Sequence, residues 1–272
     1  MIRRRDGENW VLISQSDHAA LSGELAPHVG GMTFAKLEET AIHACALHDA
    51  GWPLHDESPT LNLDRNPLDV FETPRELGLS IWEKSAEIAA EENPYAGLLV
   101  SLHSLHLSAL PMPVPERFEN SQMRQRFENN KFQHKQIELQ ENLRRELGMQ
   151  TDIPLTLGLA SSGTDPREDQ LLFDFRWLQT LDQISLAVCC THSPFDRAMV
   201  YARPGRRMTE LHLARSGNDL LVSPWPFEQR ELSCTIAGRV VPNQPWESTE
   251  LFRQAYNHAP VEQIEVRIRE SG

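Results

Sequence analysis

Basic charge, pairable cysteines and long apolar runs are all scarce in this chain. Lysine and arginine number 26 against 39 aspartates and glutamates, a net charge of -13. That deficit excludes a general binder of phosphate backbones, which presents a basic patch or stripe. The four cysteines include no CxxC pair, and the adjacent Cys189 and Cys190 make a poor disulfide, so a reducing cytoplasm is the expected home. The apolar run near the start, "WVLI", is too short for a signal-peptide core, and no later run approaches a membrane span. Internal repeats and low-complexity segments are absent as well.

What the chain does have is helical text too apolar to face water. "MIRRR", the turn-like "DGEN" and "WVLIS" read as a short hairpin or strand before the first helix. Ser16 or Asp17 can cap a helix running to about Leu25, and Thr33 one running through "FAKLEETAIHACALHDA" to the stop "GWP". Residues 59–74, rich in Pro, Asn and Asp, read as an ordered loop. "PRELGLSIWEKSAEIAAEE" and "PYAGLLVSLHSLHLSAL" carry helical spacing, and "QLLFDFRWLQTLDQISLAVCC" is apolar on nearly all faces, hence buried. The charged stretch 117–147 reads as one or two exposed helices, a solvated hairpin in preference to a lid or a dimer arm.

The ending changes character. "ELHLARSGNDLLVSPWPF", "ELSCTIAGRVVP" and "QIEVRIRE" alternate in polarity and carry turn residues, which predicts strands. The expected fold class is α+β: a mainly helical bundle over 1–205, with a small antiparallel sheet over 206–272 to which 1–14 can add a strand.

Each buried helix contains ionisable groups that an apolar core disfavours. Asp17 and His18 open the first, His48 and Asp49 close the second, His103 and His106 sit on the central one and Asp182 on the last. A buried carboxylate must find a proton, a cation or a metal, and one shared site satisfies the whole set. Imidazole and carboxylate without thiolate suit one divalent ion among Fe, Mn, Zn, Ni and Co. The bland alternatives are a buried His48-Asp49 pair bonded to backbone and an Asp182 that neutralises Arg176.

The order "SQSDHAALSG", "CALHDAGW", "VSLHSLH", "LQTLDQISLAV" resembles the HD-domain superfamily, and within it a bacterial group of HD-like proteins sharing "QSDH", "HDAGW", "SLH", "LDQISLAVC" and "SPWPF". The resemblance implies an HD-like helical fold, His18, His48, Asp49, His103 and Asp182 as metal ligands, and a preference for phosphate esters. With "AGW" after the His-Asp pair, cyclic dinucleotides are not implied as substrates.

Metal-assisted hydrolysis of a small anionic molecule is the leading expectation, with Asp49 or His103 as proton acceptor. His55, His106 and Arg206, together with Arg203, Arg207, Lys131 and Lys135, are candidate substrate contacts. His43 and Cys45 read as structural. The competing classes are an iron-dependent oxygenase of the HD type and a non-catalytic module held by a structural metal. Nucleic acid and membrane are not expected partners, and 117–147 is the candidate surface for self-association.

Overall fold

The computed structural model describes residues 1–110, 119–151, 165–192 and 194–271. Strands β1 (Ile2–Asp6) and β2 (Asn9–Ile13) form the expected hairpin. Its tight turn needs Gly7, whose φ of 57° disfavours a side chain.

Helix α1 (Gln15–Leu25) starts earlier than expected, because Ser14 is the cap: its hydroxyl oxygen accepts from the Asp17 backbone N–H at 2.9 Å. Helix α2 (Glu39–Leu47) starts later than a Thr33 cap would place it. Residues 34–38 are not helical, and the Ala35 N–H bonds to the Ala202 carbonyl instead of a helical partner. After the short α3 (Pro53–Asp56) come α4 (Arg75–Glu92), α5 (Pro94–Ala109), α6 (Glu119–Glu146) and α7 (Pro166–Cys189). Asn93 and Asp165 cap α5 and α7, each followed by a proline whose missing N–H costs nothing at that position.

The rest is strand, interrupted once: β3 (Arg197–Tyr201), β4 (Met208–Ser216), β5 (Asp219–Ser223), β6 (Glu231–Pro242), α8 (Thr249–His258) and β7 (Val261–Glu270). Sequence reading did not anticipate α8, though Ser248 caps it and Phe252 and Tyr256 are spaced for one buried face. Those two side chains join Met1, Leu12, Val241 and Trp246 in a satellite cluster.

The expected fold class needs correction. The sheet is not a small antiparallel appendage but a seven-stranded mixed sheet in the order β1-β2-β6-β7-β5-β4-β3. Strand β7 enters between β6 and β5, pairing antiparallel with one and parallel with the other. Local alternation marks strands but says nothing of which distant strand each will meet. The 205/206 division falls in the turn between β3 and β4, which pair along β3's whole length, and one hydrophobic core draws on residues from both sides.

The stretch 117–147 is also corrected. Among the described residues it is one long helix, and Phe132, Gln136, Gln140, Leu143 and Arg144 form a buried seam against its neighbours. The seam is polar because it meets serines: the Ser101 hydroxyl donates to Gln136 Oε1 at 2.7 Å and accepts from Gln140 Nε2 at 2.9 Å.

Helix α7 is central. It packs on β3, β4 and β5 on one side and on α1, α2 and α5 on the other, which explains its apolar character all round. Arg4 and Arg215 donate to the carbonyls of Val188 and Cys190 and so close its C-terminal end.

Candidate metal centre

Four helices bring five residues to one buried point. His18 lies in the first turn of α1, His48 caps the C-terminus of α2 and Asp49 follows it, His103 lies on α5 and Asp182 near the end of α7. All five are buried. The turn after Asp49 is pressed against α4, where a Cβ at Gly51 would stand 2.3 Å from the Ile81 carbonyl oxygen. Only glycine lets the His-Asp pair approach that closely.

His18 Nε2 is 2.9 Å from Asp182 Oδ1 and 3.2 Å from His48 Nε2, and His48 Nε2 is 3.5 Å from the same carboxylate oxygen. Asp49 Oδ2 completes the group at 3.7 Å from His48 Nε2 and 4.0 Å from His18 Nε2. Atoms bound at about 2.1 Å to one ion stand about 3.0 Å apart at right angles and about 3.4 Å apart at the tetrahedral angle. The inner triangle of His18, His48 and Asp182 has that spacing. His103 Nε2 meets the other oxygen of Asp182, at 3.7 Å, so it flanks the triangle.

Hydrogen bonds on the outer side orient the rings. His48 Nδ1 is 2.8 Å from the Cys45 carbonyl, an acceptor only, so Nδ1 carries a hydrogen and Nε2 is the atom left to face the cluster. His18 Nδ1 contacts the Ser185 hydroxyl at 2.7 Å. The Trp52 indole N–H donates to Asp49 Oδ1 at 3.1 Å, leaving Oδ2 directed at the imidazoles. Outer contacts of this kind orient metal ligands in well-formed sites.

The electrostatics are those of a cluster in want of positive charge. Burial opposes a charge on His48, but Asp49 and Asp182 outweigh it and push its pKa up to about 9. Burial likewise opposes the Asp182 charge, yet hydrogen bonds from His18 and His48 hold that carboxyl well below the usual range. Asp49 is raised, because burial outweighs the pull of the two histidines. For His103, burial and the neighbouring imidazoles prevail over Asp182 and lower it to about 3, so this ring is neutral. Residual exposure belongs to the two carboxylates, 9% for Asp49 and 12% for Asp182, which puts the solvent approach on their side.

Residues 1–243 match the family described as "Protein of unknown function (DUF3891)". The chain belongs to that family. No curated protein and no solved structure matches it. The matched span of this DUF3891 chain holds all five clustered residues and leaves α8 and β7 outside. The resemblance to the HD-domain superfamily is thereby corrected: the family is DUF3891, and the helices that carry the cluster pack on a seven-stranded mixed sheet instead of composing a helical bundle. A His, His-Asp, His, Asp order along a chain suits any fold in which four helices converge.

The remaining sequence candidates lie farther out. His106 is half-buried one turn beyond His103, with its ring against Phe175. His55 packs on Trp52 and reaches the cluster only through that indole. Arg206 is exposed in the β3–β4 turn, where neighbouring Gly205 lies beside Asp169, about 20 Å along α7 from Asp182 at 1.5 Å per residue. Arg203 donates to the Met32 carbonyl. Lys131 and Lys135 line a groove between α4 and α6, where Lys135 pairs with Glu83. Arg176 bonds to Gln179 and not to Asp182. Ser22, Trp52 and Ser185 were missed; a hydroxyl three residues after a buried aspartate, in "LDQIS", was the available signal for Ser185.

Proposed function

We propose that this protein is a metal-dependent hydrolase that holds one divalent ion on His18, His48, Asp49 and Asp182 and acts on a small, anionic molecule. The observation that carries the reading is the triangle of His18 Nε2, His48 Nε2 and Asp182 Oδ1, spaced at 2.9 to 3.5 Å and buried where four helices meet. Two buried carboxylates in that setting call for a cation. The absence of thiolate from the set favours Fe, Mn, Zn, Ni or Co, with the ion acting as a Lewis acid that lowers the pKa of a bound water.

The chain's own residues have separable tasks. His48 and His18 are oriented by Cys45 and Ser185, and Asp49 by Trp52. Neutral His103, beside Asp182 Oδ2 and outside the ligand set, is placed to hold a water by hydrogen bond. Phosphate esters are the first substrates to try, since hydrolysis of an anionic ester gains most from a fixed positive centre. Four free, buried cysteines are compatible with a reducing compartment, and no described helix is long and apolar enough to cross a membrane.

The test is elemental analysis of freshly purified protein beside His48→Ala/Asp49→Ala, followed by hydrolysis of p-nitrophenyl phosphate before and after chelation. About one ion per chain, lost in the variant, with turnover that follows the ion, is the expected result. No metal in either protein would return these residues to a hydrogen-bonded polar core. A second reading, a two-iron oxygenase, rests on one observation: His48, His103 and Asp182 form a second three-ligand group that overlaps the first. Two irons per chain would select it.

A further inference from the structure

Ser185 does more than fill space between α1 and α7. Its oxygen is 2.7 Å from His18 Nδ1, 2.9 Å from the Asp182 carbonyl and 2.9 Å from the Ser22 hydroxyl, and both serines are fully buried. A hydroxyl has one hydrogen to give and two lone pairs to offer. Ser22 has its own carbonyl acceptors, Leu181 at 3.3 Å and His18 at 3.4 Å. Ser185 therefore has three acceptors within reach: the Asp182 carbonyl, the Ser22 hydroxyl oxygen and His18 Nδ1.

Donation to Nδ1 and donation to either oxygen fix opposite tautomers of His18. When Ser185 donates to the Asp182 carbonyl or to the Ser22 oxygen, its lone pair receives a hydrogen from His18 Nδ1, and the Nε2 lone pair faces His48 and Asp182. When Ser185 donates to Nδ1, the hydrogen sits on Nε2, and the 2.9 Å contact with Asp182 Oδ1 becomes a charge-assisted hydrogen bond. Neither state needs the ring to turn or leaves the hydroxyl unpaired. His48 has no such freedom, because a carbonyl fixes its Nδ1 hydrogen.

We infer that Ser185, backed by Ser22, is a positioning residue that switches the His18 tautomer in place: Nε2–H toward Asp182 in the metal-free protein, Nδ1–H toward Ser185 when Nε2 binds the ion. The inference rests on the metal reading for its loaded state only. The switch lets a fully buried site close on itself without metal, and it transfers one hydrogen across the ring when metal enters. The balance is simple: Nε2 gives one proton to solvent, Nδ1 takes one from solvent, the ring keeps a single N–H, and the Ser185 O–H rotates without breaking.

Nitrogen NMR of the ¹⁵N-labelled full chain, with and without one equivalent of zinc, reads the tautomer directly, and a His18→Gln variant assigns the signals. The expected result is a protonated Nε2 in the metal-free protein and a protonated Nδ1 in the zinc form. A protonated Nδ1 in the metal-free protein would overturn the switch and leave Ser185 a fixed acceptor. Should zinc not bind at all, the metal reading fails, while the metal-free spectrum still decides the Nε2–H assignment. Ser185→Ala is expected to weaken zinc binding about 10- to 100-fold, and zinc affinity equal to that of the parent would also overturn the inference.

Discussion

The two ends of helix α7 bury acids in opposite ways. Near its N-terminus Glu168 receives both forks of Arg144, at 2.5 and 3.0 Å, and Asp174 receives the Tyr95 hydroxyl at 2.7 Å and the Gln170 amide at 3.0 Å. Near its C-terminus Asp182 meets three imidazoles, one of which has its outer nitrogen bonded to a carbonyl. The first end is closed by hydrogens that belong to fixed donors; the second is lined by lone pairs and movable protons. A buried acid with its own donors is structure, whereas a buried acid among imidazoles is able to recruit a cation.

The strongest way to sharpen that comparison is to break the closed end. Arg144→Ala leaves Glu168 uncompensated in the core and is expected to cost about 3–5 kcal/mol in denaturant unfolding, with metal content per folded chain unchanged. Asp182→Ala should do the reverse. On the proposed metal reading it removes one of four ligands, so calorimetric metal affinity is expected to fall at least about a hundredfold, with the fold retained by circular dichroism. If instead Arg144→Ala emptied the site and Asp182→Ala did not, the division of labour along α7 would be wrong.

Asp174 offers a pH test remote from the cluster. Burial, against the hydrogen bonds from Tyr95 and Gln170, pushes its carboxyl up to about 6 from an ordinary 3.8. A raised carboxyl pKa gives stability that is complete below about pH 4 and is lost as the pH rises through 6. Asp174→Asn should flatten that slope and stabilise the protein at pH 7.5 by up to about 2–3 kcal/mol, read from urea midpoints at pH 4.5 and 7.5. An unchanged slope would assign the pH dependence to other groups. The smallest effect is expected for Trp52→Phe, which removes the indole donor to Asp49 and should weaken metal binding about tenfold with little change in the melting temperature.

Legibility followed the range of the forces involved. The hairpin, the apolar helices and strands β4 to β7 were readable because turn residues, caps and periodicity act over a few residues. The helix starts were misplaced where one contact decided them, Ser14 on Asp17 for α1 and Ala35 on Ala202 for the entry to α2. The sheet was underestimated because β2 meets β6 across most of the chain and strand text does not name its partner, while β3, five residues paired with the neighbouring β4, is too short to show a pattern. At the site, His18, His48, Asp49, His103 and Asp182 stood out as ionisable groups in apolar helices, while Ser22, Trp52 and Ser185 did not, since a buried serine or tryptophan in a helix is unremarkable until its partner is known.

The sequence by itself determined that four apolar helices each carry ionisable groups, because the cost of burying charge is a property of residue type and pattern. Only the tertiary structure decided that His18, His48, Asp49, His103 and Asp182 meet while His55, Arg206 and Lys131 do not. That outcome depends on the packing of α1, α2, α5 and α7 beneath the sheet, where distances of a few ångströms separate a ligand set from scattered polar residues.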